Sequence, residues 1–132
     1  MSAFTNRFKT VIVAEDNPAN LALLEEMIGG AGYKILGCRN GRECLDALDR
    51  VRPALILLDI QMPLLNGLDT CKAIRARADG RTVPIVFLTN RRTPEDVRAG
   101  LAAGATDFMP KPVSRDRLLE RVRDWTSWMK EP

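Results

Sequence analysis

Histidine is absent from the 132 residues. That gap removes the Ser-His-Asp and Cys-His nucleophile systems and the commonest transition-metal ligand. Cysteine is scarce: Cys38, Cys44 and Cys71 are odd in number, widely spaced and set among apolar or helix-like neighbours. This excludes a disulfide framework and a zinc knuckle and predicts reduced, partly buried thiols. No apolar run approaches the ~20 residues of a membrane span, and the opening MSAFTNRFKT carries no hydrophobic stretch of the signal-peptide kind. A cytoplasmic chain without membrane association is expected. A massed basic block is also missing. The net charge is +3, and the arginines are spread among acids, with only Arg91 and Arg92 side by side. A solvated charged face, and no nucleic-acid partner, follows.

What remains for chemistry is carboxylate, lysine and hydroxyl. With 45% hydrophobic and 28% charged residues, the chain has the composition and length of one ordinary domain with one sizeable core. A single domain over residues 1–132, with its core at about 8–130, is expected, and no linker, repeat or low-complexity tract divides it.

Residues 10–14, TVIVA, form a short β-branched apolar run stopped by Glu15-Asp16-Asn17-Pro18, which predicts a buried strand. Asn17 then caps a helix with Pro18 at its first position. Leu21, Leu24, Met27 and Ile28 recur at helical spacing until Gly29-Gly30. Residues 34–38 predict a second strand, 40–50 a helix with Cys44, Leu45 and Leu48 inward, and 54–58 a third strand. Residues 67–78 predict a helix with Leu68, Cys71, Ile74 and Ala78 on one side, and 84–88 a fourth strand. Thr93-Pro94-Glu95-Asp96 has the hydroxyl cap, proline and early acids of a helix start; that helix ends near Gly104. Residues 106–109 give a fifth strand. Ser114 caps a last helix whose stripe is Leu118, Val122, Trp125 and Met129. Continuous apolar strands alternating with helices indicate an α/β fold with a parallel sheet covered on both faces.

The segment LILLDIQMPLLNG, residues 55–67, runs a buried strand straight into the carboxylate of Asp59. In an open α/β sheet the loops beyond the carboxyl ends of the strands gather at one edge. Glu15 and Asp16, Asp59, Thr89 and Lys111 all fall there. Three clustered carboxylates repel unless a cation sits among them, and oxygen donors of this kind suit Mg²⁺. Asp59 is therefore tolerated at the rim because it faces a metal and an amine.

These residues, Glu15-Asp16-Asn17, Asp59 in LLDIQMP, Thr89 in FLTN and Lys111-Pro112 after GATDFM, resemble the receiver domain of two-component response regulators over about residues 8–130, of the single-domain, stand-alone type. The resemblance implies a flavodoxin-like (βα)5 doubly wound fold with strand order 2-1-3-4-5. It implies that Asp59 accepts a phosphoryl group from a histidine kinase or histidine phosphotransfer protein, or from acetyl phosphate. Mg²⁺, with Mn²⁺ as an alternative, would be held by Asp16, Asp59, Glu15 and the backbone carbonyl of Gln61. Lys111 would pair with a phosphoryl oxygen, and Thr89 would donate to another once phosphate is present. Phe108 would then swing inward, altering the face of the fourth helix, fifth strand and fifth helix that a downstream protein reads. A cis Lys111-Pro112 bond and a monomer, or a weak phosphorylation-dependent homodimer, are implied by the same likeness.

Phe108 stands where tyrosine is frequent in the family, and Asn90 where a small residue is usual. Gln61, Asn90 and Arg91 are placed to modulate loss of the phosphoryl group. Leu64 and Leu65 are expected to pack within their loop, and Trp128 to sit at the edge of the core. Two other functions fit parts of the pattern: a phosphorylation-independent scaffold, and a phosphatase with an aspartate nucleophile. The intact acidic set opposes the first. Gln61, standing where such phosphatases carry a second aspartate, opposes the second. The expected protein is a phosphoacceptor, not a turnover enzyme.

Overall fold

The computed structural model describes residues 7–91 and 93–130, so the outermost parts of the expected domain, and Arg92, lie outside the described residues. Five strands alternate with five helices. They are β1 (Thr10–Ala14), α1 (Pro18–Gly30), β2 (Lys34–Cys38), α2 (Gly41–Ala47), β3 (Leu55–Leu58), α3 (Gly67–Ala76), β4 (Ile85–Thr89), α4 (Pro94–Ala103), β5 (Asp107–Pro110) and α5 (Arg115–Thr126). All strands are parallel, in the order β2-β1-β3-β4-β5. The chain steps outward from β1 first to one side and then to the other, so the loops after β1 and β3 meet at the point where the order reverses.

The period-two alternation of strand side chains divides the core. Ile12, Ala14, Ile56, Leu58, Ile85 and Phe87 pack on Cys44, Ala47, Cys71, Ile74 and Ala103, which come from α2, α3 and α4. Val11, Val13, Leu55, Leu57, Val86 and Leu88 pack on Leu24, Ile28, Leu118 and Val122, from α1 and α5. Both faces are closed, which is why the strands read as unbroken apolar runs. Each fully buried aliphatic side chain in these layers contributes about 1.5–3 kcal/mol.

Every helix begins on the cap the sequence supplies. Asn17, Asn40, Asn66 and Ser114 each accept from the backbone N–H three residues on, and Thr93 with Asp96 forms a reciprocal capping box. Several ends differ from expectation. The second helix stops at Ala47, and residues 48–50 tighten into i to i+3 turns before Pro53. The third stops at Ala76 because Arg77 is extended. Ala78 opens a short 3₁₀ turn and is exposed, not part of the apolar stripe. α5 ends at Thr126, so Met129 lies beyond it; Thr126 is buried instead, its hydroxyl 3.1 Å from that of Tyr33. Strands three, four and five each lie within one residue of the expected ranges. Among the described residues no helix is long and apolar enough to cross a membrane.

Candidate functional site

Three side chains of the site sit one residue past a strand, and in each case the backbone N–H is tied to the last carbonyl of the neighbouring strand. Glu15 N–H donates to Cys38 O (2.9 Å), Asp59 N–H to Ala14 O (3.1 Å) and Lys111 N–H to Thr89 O (3.2 Å). The sheet thus continues its hydrogen bonding one step beyond the strands and aims Glu15, Asp59 and Lys111 at a common point. The opposite wall is held by Gly67. Its N–H donates to Ile60 O (2.8 Å), and a Cβ at that position would lie 2.1 Å from the backbone oxygen of Asp59. Only glycine lets the start of α3 press this closely against the acid.

Lys111 Nζ pairs with Asp59 Oδ2 at 3.0 Å and with Glu15 Oε1. All three side chains are at most 15% exposed. Burial pulls the Lys111 ammonium down, but hydrogen bonds and charge from Glu15 and Asp59 outweigh it and hold the group above the ordinary lysine value. The other oxygen of Asp59 accepts from the Thr89 hydroxyl at 3.0 Å and from the Gln61 N–H at 3.4 Å. Thr89, in turn, accepts the Arg91 N–H at 3.1 Å. The Lys111-Pro112 peptide is cis.

Glu15, Asp16 and Asp59 each present an oxygen within 4.8 Å of the others. Three carboxylates against the single ammonium of Lys111 leave two negative charges, the complement of a divalent ion. Glu15 is engaged by Lys111 and by the Asn17 N–H (3.3 Å). Asp16 is exposed and has no hydrogen-bond or ion-pair partner among the described residues. It lines a cleft of about 450 Å³ with Ile60, Gln61, Met62, Asn66 and Arg91. A hard-oxygen donor set, with an exposed acid lining an open cleft, fits Mg²⁺.

The predicted residues therefore come together, with differences at Asn90 and Leu64. Thr89 is expected to bond a phosphoryl oxygen once phosphate is present; in the unmodified protein its hydroxyl bonds Asp59 itself. Asn90 does not share the cleft of Gln61 and Arg91. It lines a separate groove of about 280 Å³ with Leu23, Met27, Lys111 and Val113. Leu64 does not pack in its loop: it is 85% exposed, in the left-handed region at φ 67°. Phe108 is half-buried, its ring 5.2 Å from that of Phe87, over Gly100. A Cβ on Gly100 would fall 2.3 Å from the Phe108 ring. Trp128 is exposed at its edge and donates its indole N–H to Ala54 O (2.9 Å).

Sequence reading missed the pairing of Arg91 with Asp96. The Nη2 of Arg91 lies 3.2 Å from Asp96 Oδ1, and Asp96 is buried. The Thr-x-x-Asp spacing signals the cap, but nothing local signals the arginine.

Comparison with known proteins agrees with this geometry. The family model for the response regulator receiver domain matches residues 11–123. Response regulator MprA of Mycolicibacterium vanbaalenii is 37% identical over 113 residues, which is 86% of this chain and 48% of that protein. The chain thus spans about half the length of that relative. The receiver domain of a signal transduction histidine kinase from Syntrophus aciditrophicus superimposes with a TM-score of 0.85 at 33% identity, covering 94% of each chain. The receiver domain of sensor histidine kinase PA1611 from Pseudomonas aeruginosa PAO1, crystallised with magnesium in its active-site cleft, gives 0.84 at 32% identity, covering 90% of this chain and 98% of that one. The chain belongs to the response regulator receiver domain family, the phosphoacceptor signalling domains that interact with histidine kinases or phosphotransfer proteins in two-component systems.

Proposed function

We propose that Asp59 is the phosphoacceptor of this chain, that its phosphoryl donor is the phosphohistidine of a kinase or phosphotransfer protein or a small acyl phosphate, and that residues 1–132 form one such domain acting in the cytoplasm. The observation that carries this reading is the rim itself. One carboxylate, Asp59, sits between an ammonium at 3.0 Å and a hydroxyl at 3.0 Å, beside an acidic cluster able to hold a divalent ion.

An Asp59 oxygen attacks phosphorus, the bond from phosphorus to the donor nitrogen or oxygen breaks, and the leaving group departs with its electron pair. Lys111, already on Asp59 Oδ2, stabilises negative charge on the phosphoryl oxygens, and the Thr89 hydroxyl turns its hydrogen bond from carboxylate to phosphoryl oxygen. Asp16, Asp59, Glu15 and the carbonyl of Gln61 would hold Mg²⁺ or Mn²⁺. That ion supplies charge neutralisation to the transferring group. Gln61 and Arg91 border the path of a hydrolytic water from one cleft, and Asn90 from the other groove.

The readout passes along β4 and β5. Thr89 and Phe87 lie on β4, Phe108 on β5, and the Phe108 ring rests on Phe87 and Gly100 of α4. A change in the bonding of Thr89 is felt by this aromatic pair, and so by the face of α4, β5 and α5, where Leu101 is exposed. That face is the proposed docking surface for a downstream protein, or for a second copy in a weak, phosphorylation-dependent dimer. The chain acts as a phosphoacceptor without steady turnover.

Incubation with Mg²⁺ and acetyl phosphate or a phosphoramidate tests the reading by intact mass. One added phosphoryl group, absent in Asp59→Asn and in chelator, is expected. Modification that persists in Asp59→Asn would refute the assignment.

A further inference from the structure

Arg91 lines the cleft beside the acid, and in the scheme above its side chain neither holds nor transfers the phosphoryl group. Its N–H is bonded to the Thr89 hydroxyl that contacts Asp59, which fixes its backbone one contact away from the acid. Its side chain is half exposed and lines the same cleft as Asp16 and Gln61. The guanidinium does not meet that acidic cluster; it turns to α4, where a single nitrogen reaches Asp96 Oδ1 at 3.2 Å.

Asp96, buried and held by its own helix as well, does not rest on this contact alone. Its other oxygen accepts from the Thr93 N–H (3.1 Å) and hydroxyl (2.9 Å), which completes the capping box of α4. The pair uses one of the five donors of the arginine and is longer than the ~2.7–2.9 Å of a strong charge-assisted bond. A phosphoryl group on Asp59 would be a better partner, with about −1.5 to −2 charge and three acceptor oxygens that match the guanidinium fork.

We propose that Arg91 is a latch with two alternative anions: Asp96 in the unmodified protein, and the phosphoryl group once Asp59 carries it. The exchange strips the cation from the cap of α4 and loosens its first turn. This gives a second route from the site to α4, one that does not pass through Phe108. It rests on the phosphoacceptor reading above.

The two anions compete, and that competition has a signature. Binding of beryllofluoride, a tetrahedral phosphoryl mimic, in the presence of Mg²⁺ is followed by fluorine NMR titration of the full chain. Arg91→Ala should weaken binding about tenfold, more than the charge-matched control Arg98→Ala on the exposed side of α4. Asp96→Asn should tighten it about threefold by removing the competitor. In an Arg91→Ala background, Asp96→Asn should have no effect. Hydrogen exchange in the first turn of α4 should rise on beryllofluoride binding in wild type. In Arg91→Ala it should be raised already and unchanged by the ligand.

Equal tightening by Asp96→Asn in both backgrounds would mean a general field effect and overturn the latch, as would an Arg91→Ala effect no larger than that of Arg98→Ala. Wild-type binding that Asp59→Asn abolishes, with Arg91→Ala and Asp96→Asn both unchanged, removes the latch and leaves the phosphoacceptor standing. Failure of wild type to bind removes both. Arg91 is half exposed, so its alanine variant is expected to fold, and circular dichroism checks that each variant does.

Discussion

The hydroxyl of Thr89 donates to Asp59 Oδ1 at 3.0 Å while the Lys111 ammonium holds Oδ2 at 3.0 Å. Both oxygens of the acid are thus engaged in the unmodified protein by the two groups that, in the proposed function, would bond the phosphoryl oxygens. The site is organised before the reaction, and little rearrangement of donors is needed during it. In the proposed function the switch would then consist of a change of acceptor by Thr89, not of its arrival.

Thr89→Val keeps the shape and removes the hydroxyl. It should destabilise the unmodified protein by about 1.5–3 kcal/mol, because a buried bond to a charged group is lost and the Arg91 N–H loses its acceptor. Thr89→Ser should recover most of that. Urea denaturation of the unphosphorylated proteins measures both. A neutral Thr89→Val would mean that the hydroxyl engages only after phosphorylation.

Removal of Lys111 leaves Glu15, only 2% exposed, without its cation. Lys111→Ala should lower stability by about 1–3 kcal/mol in chelator. Mg²⁺ should then restore more stability to the variant than it adds to wild type, since a bound ion replaces the missing charge. Thermal melts with chelator and with Mg²⁺ decide this. Equal Mg²⁺ stabilisation in the two proteins would count against the shared acidic cluster.

Gly67→Ala tests the wall behind the acid. The added methyl meets backbone at 2.1 Å, which cannot step aside as a flexible side chain does. A loss of about 2–3 kcal/mol is expected from overpacking, together with slower phosphorylation as Asp59 is displaced. Unchanged denaturation and an unchanged modification rate would show that the start of α3 does not position the acid.

The three thiols are buried and unpaired. Burial pushes Cys38 and Cys71 up from 9.0 to about 11, and Cys44 higher still. The unfolded chain therefore gives up these protons first. The contribution is fully present below pH 9.0 and is lost progressively as pH rises from there through about 11. Stability should fall over that window, and replacing the three cysteines with alanine should flatten the fall. Native thiols should react with iodoacetamide only as fast as the protein opens. Rapid alkylation of the folded protein would contradict their burial.

The local parts of this molecule are written in neighbouring residues. The two-residue alternation in TVIVA and LILL sorts side chains onto the two faces of the sheet. Asn17, Thr93 and Ser114 start helices through bonds that span three residues, and the acids, Thr89 and Lys111 fall at strand ends because the strands stop there. Such signals survive in sequence because their physics acts within a turn or a pleat.

Tertiary structure decided which partner each of these groups took. Lys111 meets Glu15 across 96 positions and Asp59 across 52. Arg91 turned to Asp96 although the acids beside its cleft carry the same negative charge, Asn90 lines a different groove from Gln61, and Leu64 is left exposed. An ion pair is chosen by distance and burial after the sheet has closed, and many arrangements of the same charges satisfy the same sequence pattern. The sequence determined where the charged groups would gather; the packed sheet determined their pairing, because electrostatic strength depends on ångströms that only the folded chain sets.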